Sequence, residues 1–136
     1  MNLPAKLKYT NEHEWIKIDP EVSTDDQTVA IIGITDFAQQ ELGELVYVEV
    51  ETVGEQLAKD EVFGTVEAVK TTSDLFMPVA GKVIAFNPEL NEAEGDNPGM
   101  VNEEPYASGW IIKIALDNPA DLEGLLSAED YQAVIS

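Results

Sequence analysis

Lys70 stands alone among acidic, apolar and small polar residues, in the run Gly64-Thr-Val-Glu-Ala-Val-Lys70-Thr-Thr-Ser-Asp-Leu-Phe-Met-Pro78-Val-Ala-Gly81. Val62, Phe63, Val66 and Val69 ahead of it have strand chemistry, and Leu75, Phe76 and Met77 resume an apolar run behind it. A lysine at such a junction puts a primary amine on a flexible four-carbon stem into solvent, where acylation can reach it and remove its charge. The competing reading is an ordinary surface lysine at a strand end. Other reactive groups are few. His13 is the only histidine, and without signalled partners it reads as a structural or surface residue. No cysteine is present, so disulfides, thiolate metal sites and thiol nucleophiles are excluded. There is no phosphate-cradling glycine loop, zinc spacing or calcium loop. A presented amine without catalytic companions points to a carrier of a prosthetic group on which other enzymes act.

The elements that must position this lysine are short. Residues 15–18 and 28–32 read as strands, the second closed by Gly33. From Ile34 to Leu42 the period changes: Asp36 with Gln39 suggests a capping box, Phe37, Ala38 and Leu42 share a face, and Gly43 suits the C′ position of a short helix. Strands are expected at 45–50, 62–69, 75–77, 82–86 and 110–114, with turns at Gly54 and Gly81, and Pro78 at an edge or bend. The segment 87–105, rich in Asn, Glu, Gly and Pro, is expected to be a long surface loop. Asn118 and Pro119 start one helical segment carrying Leu122, Leu125 and Leu126. Ser127 caps a last one carrying Tyr131, Val134 and Ile135. Connections this short suit a mainly β antiparallel barrel or sandwich. Glycine turns on either side of Lys70 hint at a pseudo-twofold layout with the lysine at a hairpin tip.

The 136 residues fit one domain, with a core over about 9–115 and a helical extension over about 118–136. The 27 acidic residues against 7 basic ones give a net charge of −20. Nucleic acid and anionic membrane surfaces are therefore unlikely partners, whereas enzymes with basic docking faces fit, and so does adaptation to a salty environment. No apolar run approaches bilayer length and the start lacks the apolar core of a secretion signal, so a soluble, cytoplasmic protein is expected.

Four segments in order carry a family resemblance: Tyr9-Thr-Asn-Glu-His-Glu-Trp15, Gly33-Ile-Thr-Asp-Phe-Ala38, the run from Gly64 to Gly81, and Pro105-Tyr-Ala-Ser-Gly-Trp110. Across nearly its whole length the chain resembles the H protein of the glycine cleavage system. The resemblance implies a barrel-sandwich hybrid fold and a non-catalytic carrier whose Lys70 holds lipoic acid through an amide. It implies that Gly54, Glu67, Asp74 and Gly81 help present the lysine to a lipoate-attaching enzyme. It further implies a surface cleft for the arm, with Glu14 and Asp74 facing the ammonium of the cargo, Glu12 beside them, and Ile34, Ala38 and Thr71 lining the chain. The implied partners are a pyridoxal-phosphate glycine decarboxylase, a tetrahydrofolate-dependent aminomethyltransferase and dihydrolipoyl dehydrogenase.

Three departures stand out. The chain has Glu67-Ala-Val-Lys70 where the family commonly has Glu-Ser-Val-Lys, Glu12 where some members have serine, and a slightly longer loop at 91–101. Among rival carriers, biotin attachment favours methionine on both sides of the lysine, and here Val69 and Thr71 flank it. The shorter, tethered lipoyl domains of 2-oxoacid dehydrogenases are disfavoured by the absence of an Ala/Pro linker. A lipoyl donor for other lipoyl enzymes and an acidic β module that only binds a partner remain alternatives.

Overall fold

The computed structural model describes residues 2–24 and 26–136. Its strands are β1 (Lys8–Tyr9), β2 (Glu14–Ile18), β3 (Val29–Ile34), β4 (Leu45–Glu49), β5 (Gln56–Leu57), β6 (Val62–Ala68), β7 (Thr72–Phe76), β8 (Gly81–Phe86) and β9 (Ile112–Leu116). They form two antiparallel sheets, one in the order β1-β2-β3-β9-β8-β5 and the other β4-β6-β7. Helices α1 (Asp36–Leu42), α2 (Met100–Glu103) and α3 (Ala128–Val134) and a 3₁₀ helix over Pro119–Gly124 lie around them. The expected mainly β, antiparallel architecture is what the chain adopts, with two facing sheets in place of repeated crossovers.

The alternation of side chains along each strand decides the layering. Ile16, Ile32 and Ile112 are direct cross-strand neighbours, and this row meets Val48, Phe63, Val66 and Leu75 of the smaller sheet in one buried cluster. Trp15 faces the other way. It packs with Leu7, Tyr9 and Tyr131 in a second cluster, which α3 and the 105–110 segment cover. The large sheet is thus buried on both faces, each fully buried aliphatic side chain contributing about 1.5–3 kcal/mol. Gly33 lies opposite Trp15, and a Cβ there would fall 2.7 Å from the indole. The indole N–H donates to the Pro105 carbonyl at 2.9 Å. Three of the four segments that carry the resemblance therefore meet around one tryptophan.

Several local expectations need correction. The polar stretch at 72–74 is strand, so β7 starts at Thr72 and the connection to β6 shrinks to three residues, Val69, Lys70 and Thr71, with the Ala68 amide donating to the Thr71 carbonyl at 2.7 Å. β-Branched threonine on an exposed face suits a strand as well as a turn. The cap of α1 is Thr35, whose hydroxyl accepts from the Ala38 amide at 3.1 Å, and Asp36 is already helical. Gln39 bonds the Asp36 carboxylate at 2.7 Å, a pair within the helix in place of a capping box. The 87–105 segment is not only surface: Leu90 and Val101 are buried in the main core, and Asn87 donates to the carbonyls of Ser108 and Trp110. The segment after Asn118 is 3₁₀, and Ser127 forms a full capping box with Asp130.

Candidate functional site: a lysine at the mouth of an acidic-rimmed groove

The turn between β6 and β7 lifts Lys70 into solvent. Among the described residues the one ion pair is Lys113–Asp19 at 2.9 Å, so no carboxylate holds the Lys70 ammonium. Its stem passes over the end of α1, where a Cβ placed on Gly43 would lie 3.6 Å from the Lys70 Cε. Gly43 has φ +80°, and its conformation ends the helix there. The tip is held from below by the Val69 amide, which donates to the Glu44 carbonyl at 3.1 Å.

A groove of about 430 Å3 runs between α1 and β7. Ile34, Phe37, Ala38, Leu42 and Leu75 give it apolar walls, and Glu12, Glu41 and Asp74 bring carboxylates to its rim. α1 spans about 10 Å at the α-helical rise. Lys70 stands at its C-terminal end, with Ile34 and His13 at the other. β7 is one edge of the small sheet. Because Thr71 pairs with Ala68, the backbone groups of residues 72, 74 and 76 point outward from that edge.

The expected site residues divide by position. Glu12, Ile34, Ala38 and Asp74 line this groove. Glu67 and Asp74 lie on the exposed face of the small sheet, since Glu67 pairs with Thr72 and Asp74 with Thr65. Thr71 is exposed beside Lys70 and outside the groove lining. Glu14 is 1 % exposed and lines a second cavity of about 430 Å3 with Glu12, Asp60 and Phe76. Its carboxyl accepts from the Phe76 amide at 3.0 Å and the Thr10 hydroxyl at 3.1 Å. Burial nevertheless pushes it up to about 8, against the downward pull of those two bonds.

Gly54 and Gly81 belong to the other end of the fold. Gly54 has φ +94° in the turn before β5, and Gly81 pairs with both Leu57 and Leu116 in the large sheet.

Residues that sequence reasoning did not assign to the site complete the groove: Phe37, Glu41, Leu42, Ser73, Leu75 and His13. The spacing 37–38, 41–42 on α1, continuing the line of Ile34 at the end of β3, was the available signal. His13 has φ +68°, and its Nδ1 lies 2.7 Å from the Tyr131 hydroxyl. That hydroxyl also lies 2.8 Å from Thr35 Oγ1.

The family model for the glycine cleavage H-protein matches residues 7–136. The chain belongs to the glycine cleavage H-protein family. A glycine cleavage system H protein of Bacteroides fragilis is 52 % identical over 136 residues, covering 100 % of this chain and 99 % of the relative. That of Chlorobaculum tepidum is 51 % identical over 135 residues, covering 99 % and 98 %. Among solved structures, an H protein of Mycobacterium marinum superposes with a TM-score of 0.75 at 35 % identity, covering 96 % of each chain. Membership in this H-protein family supports a role in the glycine cleavage system as a carrier subunit. Among the described residues no helix is long and apolar enough to cross a membrane.

Proposed function

We propose that Lys70 carries lipoic acid on its Nζ and that this chain shuttles the aminomethyl group of glycine between the enzymes of the cleavage system. The observation that carries the reading is the placement of an exposed, unpaired amine at the open end of an apolar groove with an acidic rim. These residues fit the group: an amide at Nζ removes a charge that makes no ion pair among the described residues, and the groove offers apolar surface to an acyl chain. When bound, the lipoyl group would supply a disulfide whose S–S bond opens as it takes up the aminomethyl unit and two electrons from glycine decarboxylation, and, once the tetrahydrofolate-dependent aminomethyltransferase has removed that unit, a dithiol for dihydrolipoyl dehydrogenase to reoxidise.

The chain's own residues hold and shield. Leu42, Ala38, Phe37 and Ile34 line a path from the Lys70 end of α1 to its start. Glu12, Glu41 and Asp74 set a negative potential along it, favourable to an ammonium and strengthened by the apolar walls. Glu14 backs the same region from the neighbouring cavity, and an ammonium arriving there would draw its carboxyl towards the ionised form. Glu67 and Asp74, exposed on one face beside the turn, provide the orientation cue for the attaching enzyme.

The test is intact mass after expression in cells supplied with lipoate. A gain of one lipoyl amide, lost in Lys70→Arg, is expected; an unchanged mass in the parent chain rejects the reading. Glycine–bicarbonate exchange with purified decarboxylase then separates service in this system from lipoyl donation to other enzymes.

A further inference from the structure

The Tyr131 hydroxyl has one hydrogen and two partners, His13 Nδ1 at 2.7 Å and Thr35 Oγ1 at 2.8 Å. Thr35 Oγ1 also accepts from the Ala38 amide as the cap of α1, and Thr35 is 0 % exposed. Two wirings give the Tyr131 hydrogen an acceptor. In one, Thr35 donates to Tyr131 and Tyr131 donates to a bare Nδ1, so that every hydrogen in the chain has an acceptor. In the other, Nδ1–H donates to Tyr131 and Tyr131 donates to Thr35. The Thr35 hydrogen is then left with no acceptor among the described residues, inside the protein. A buried donor without a partner is costly, and the first wiring prevails. It requires imidazole in the Nε2–H form.

We infer that His13 is a positioning residue for the sulfur end of the lipoyl arm, presenting a neutral Nε2–H donor to the groove in a tautomer fixed by Tyr131. This rests on the proposed attachment of lipoate at Lys70. The ring lines the groove, and its Nδ1 is turned to a buried hydroxyl, which leaves the opposite side of the ring for the occupant. His13 stands about one length of α1 from the Lys70 end, roughly 10 Å, where the distal part of an acyl-lysine arm falls. Sulfur accepts weakly as a thiol and strongly as a thiolate. A neutral donor suits it without repelling an ammonium that the nearby Glu12, Glu41 and Asp74 attract. Burial lowers the His13 pKa, against the opposing fields of Glu12 and Glu41, and agrees with a neutral ring.

The tautomer is held by a stiff frame. Tyr131 is fully buried and stacked on Tyr9 with ring centroids 5.0 Å apart at 9°, and Phe37 leans on the His13 ring at 5.0 Å. One hydroxyl therefore couples the C-terminal helix to His13 and to the cap of α1.

Because His13 is the only histidine, ¹⁵N-imidazole NMR reads it without ambiguity. In the unmodified protein at pH 7.5 the Nε2–H form is expected in an excess on the order of tenfold or more. Tyr131→Phe, which keeps the stack on Tyr9, is expected to relax the ring towards the free-imidazole mixture. A dominant Nδ1–H form, or shifts identical in the Tyr131→Phe protein, would overturn the wiring. In lipoylated, reduced protein the Nε2–H proton is expected to shift relative to unmodified protein, and an unmoved resonance would overturn the contact. Intact mass is recorded on the same samples. Failure to gain the lipoyl group would remove the function of Lys70 and this contact together, whereas an unmoved resonance in verified lipoyl protein removes the contact alone.

Discussion

The Glu14 carboxyl and the Phe76 amide stand 3.0 Å apart across the gap between the two sheets, joining β2 of the large sheet to the exposed edge of β7. One buried acid thereby occupies a backbone donor that the β7 edge would otherwise leave open. Because burial raises its pKa to about 8 from an ordinary value near 4.5, the folded state binds a proton that the unfolded chain releases. Its contribution to stability is full below about pH 4.5 and is lost as pH rises through about 8. Denaturant melts of the parent chain and Glu14→Gln at pH 5.5 and 8.5 measure this. The parent is expected to lose on the order of 2–4 kcal/mol more than the variant across that interval. Parallel losses would show that Glu14 is ionised throughout.

Gly33 and Trp15 make a second close relationship, with no room for a methyl group between them. Gly33→Ala must displace the indole or the strand, at a cost of about 1–3 kcal/mol. Thermal melting is expected to fall by several degrees. Melting within a degree of the parent would mean that the indole can retreat freely from the strand.

Gly54 and Gly81 separate conformational strain from crowding. Nothing lies within 4 Å of a Cβ on Gly54, so Gly54→Ala pays only for φ +94°, about 1 kcal/mol. A Cβ on Gly81 falls 2.6 Å from the Ala115 carbonyl, backbone against backbone, and Gly81→Ala is expected to be the more destabilising of the two. Lipoylation measured by mass should follow the folded fraction of each variant. A fully folded Gly81→Ala chain that escapes lipoylation would show that the glycine is read directly.

Glu67 and Asp74 are exposed on one face beside Lys70. Glu67→Ala and Asp74→Ala are each expected to change stability by less than about 0.5 kcal/mol. Both are expected to slow the initial rate of lipoylation several-fold at low salt. Raising ionic strength should shrink the difference from the parent, because exposed charges are screened. Equal rates at low salt would remove both carboxylates from the encounter.

The residues whose role is set by local chain chemistry were legible in the sequence. Lys70 between two apolar runs announced a presented amine, and Gly43 and Ser127 marked helix ends by their own backbone and side-chain preferences. What escaped were relationships that only tertiary pairing creates. Thr72 to Asp74 are composed like a turn and become strand because β6 pairs with them. Thr35 outcompetes Asp36 as cap, a contest between adjacent good capping residues that the sequence leaves open. His13 looked isolated, since its partner Tyr131 lies 118 residues away. The resemblance placed Glu14 in the arm cleft, but nothing in the local sequence announced its near-complete burial between the two sheets.

The mooring of the Val69 amide to Glu44 limits what can travel. With its tip fastened to the chain just beyond α1, the turn bearing Lys70 cannot flap as a loop. For the proposed carrier, the radius of delivery is then set by covalent bonds: one lysine stem plus the group attached to it. Under the proposed attachment at Lys70, a partner enzyme must bring its reaction centre inside that short circle and meet the Val69 side chain, 72 % exposed beside the lysine.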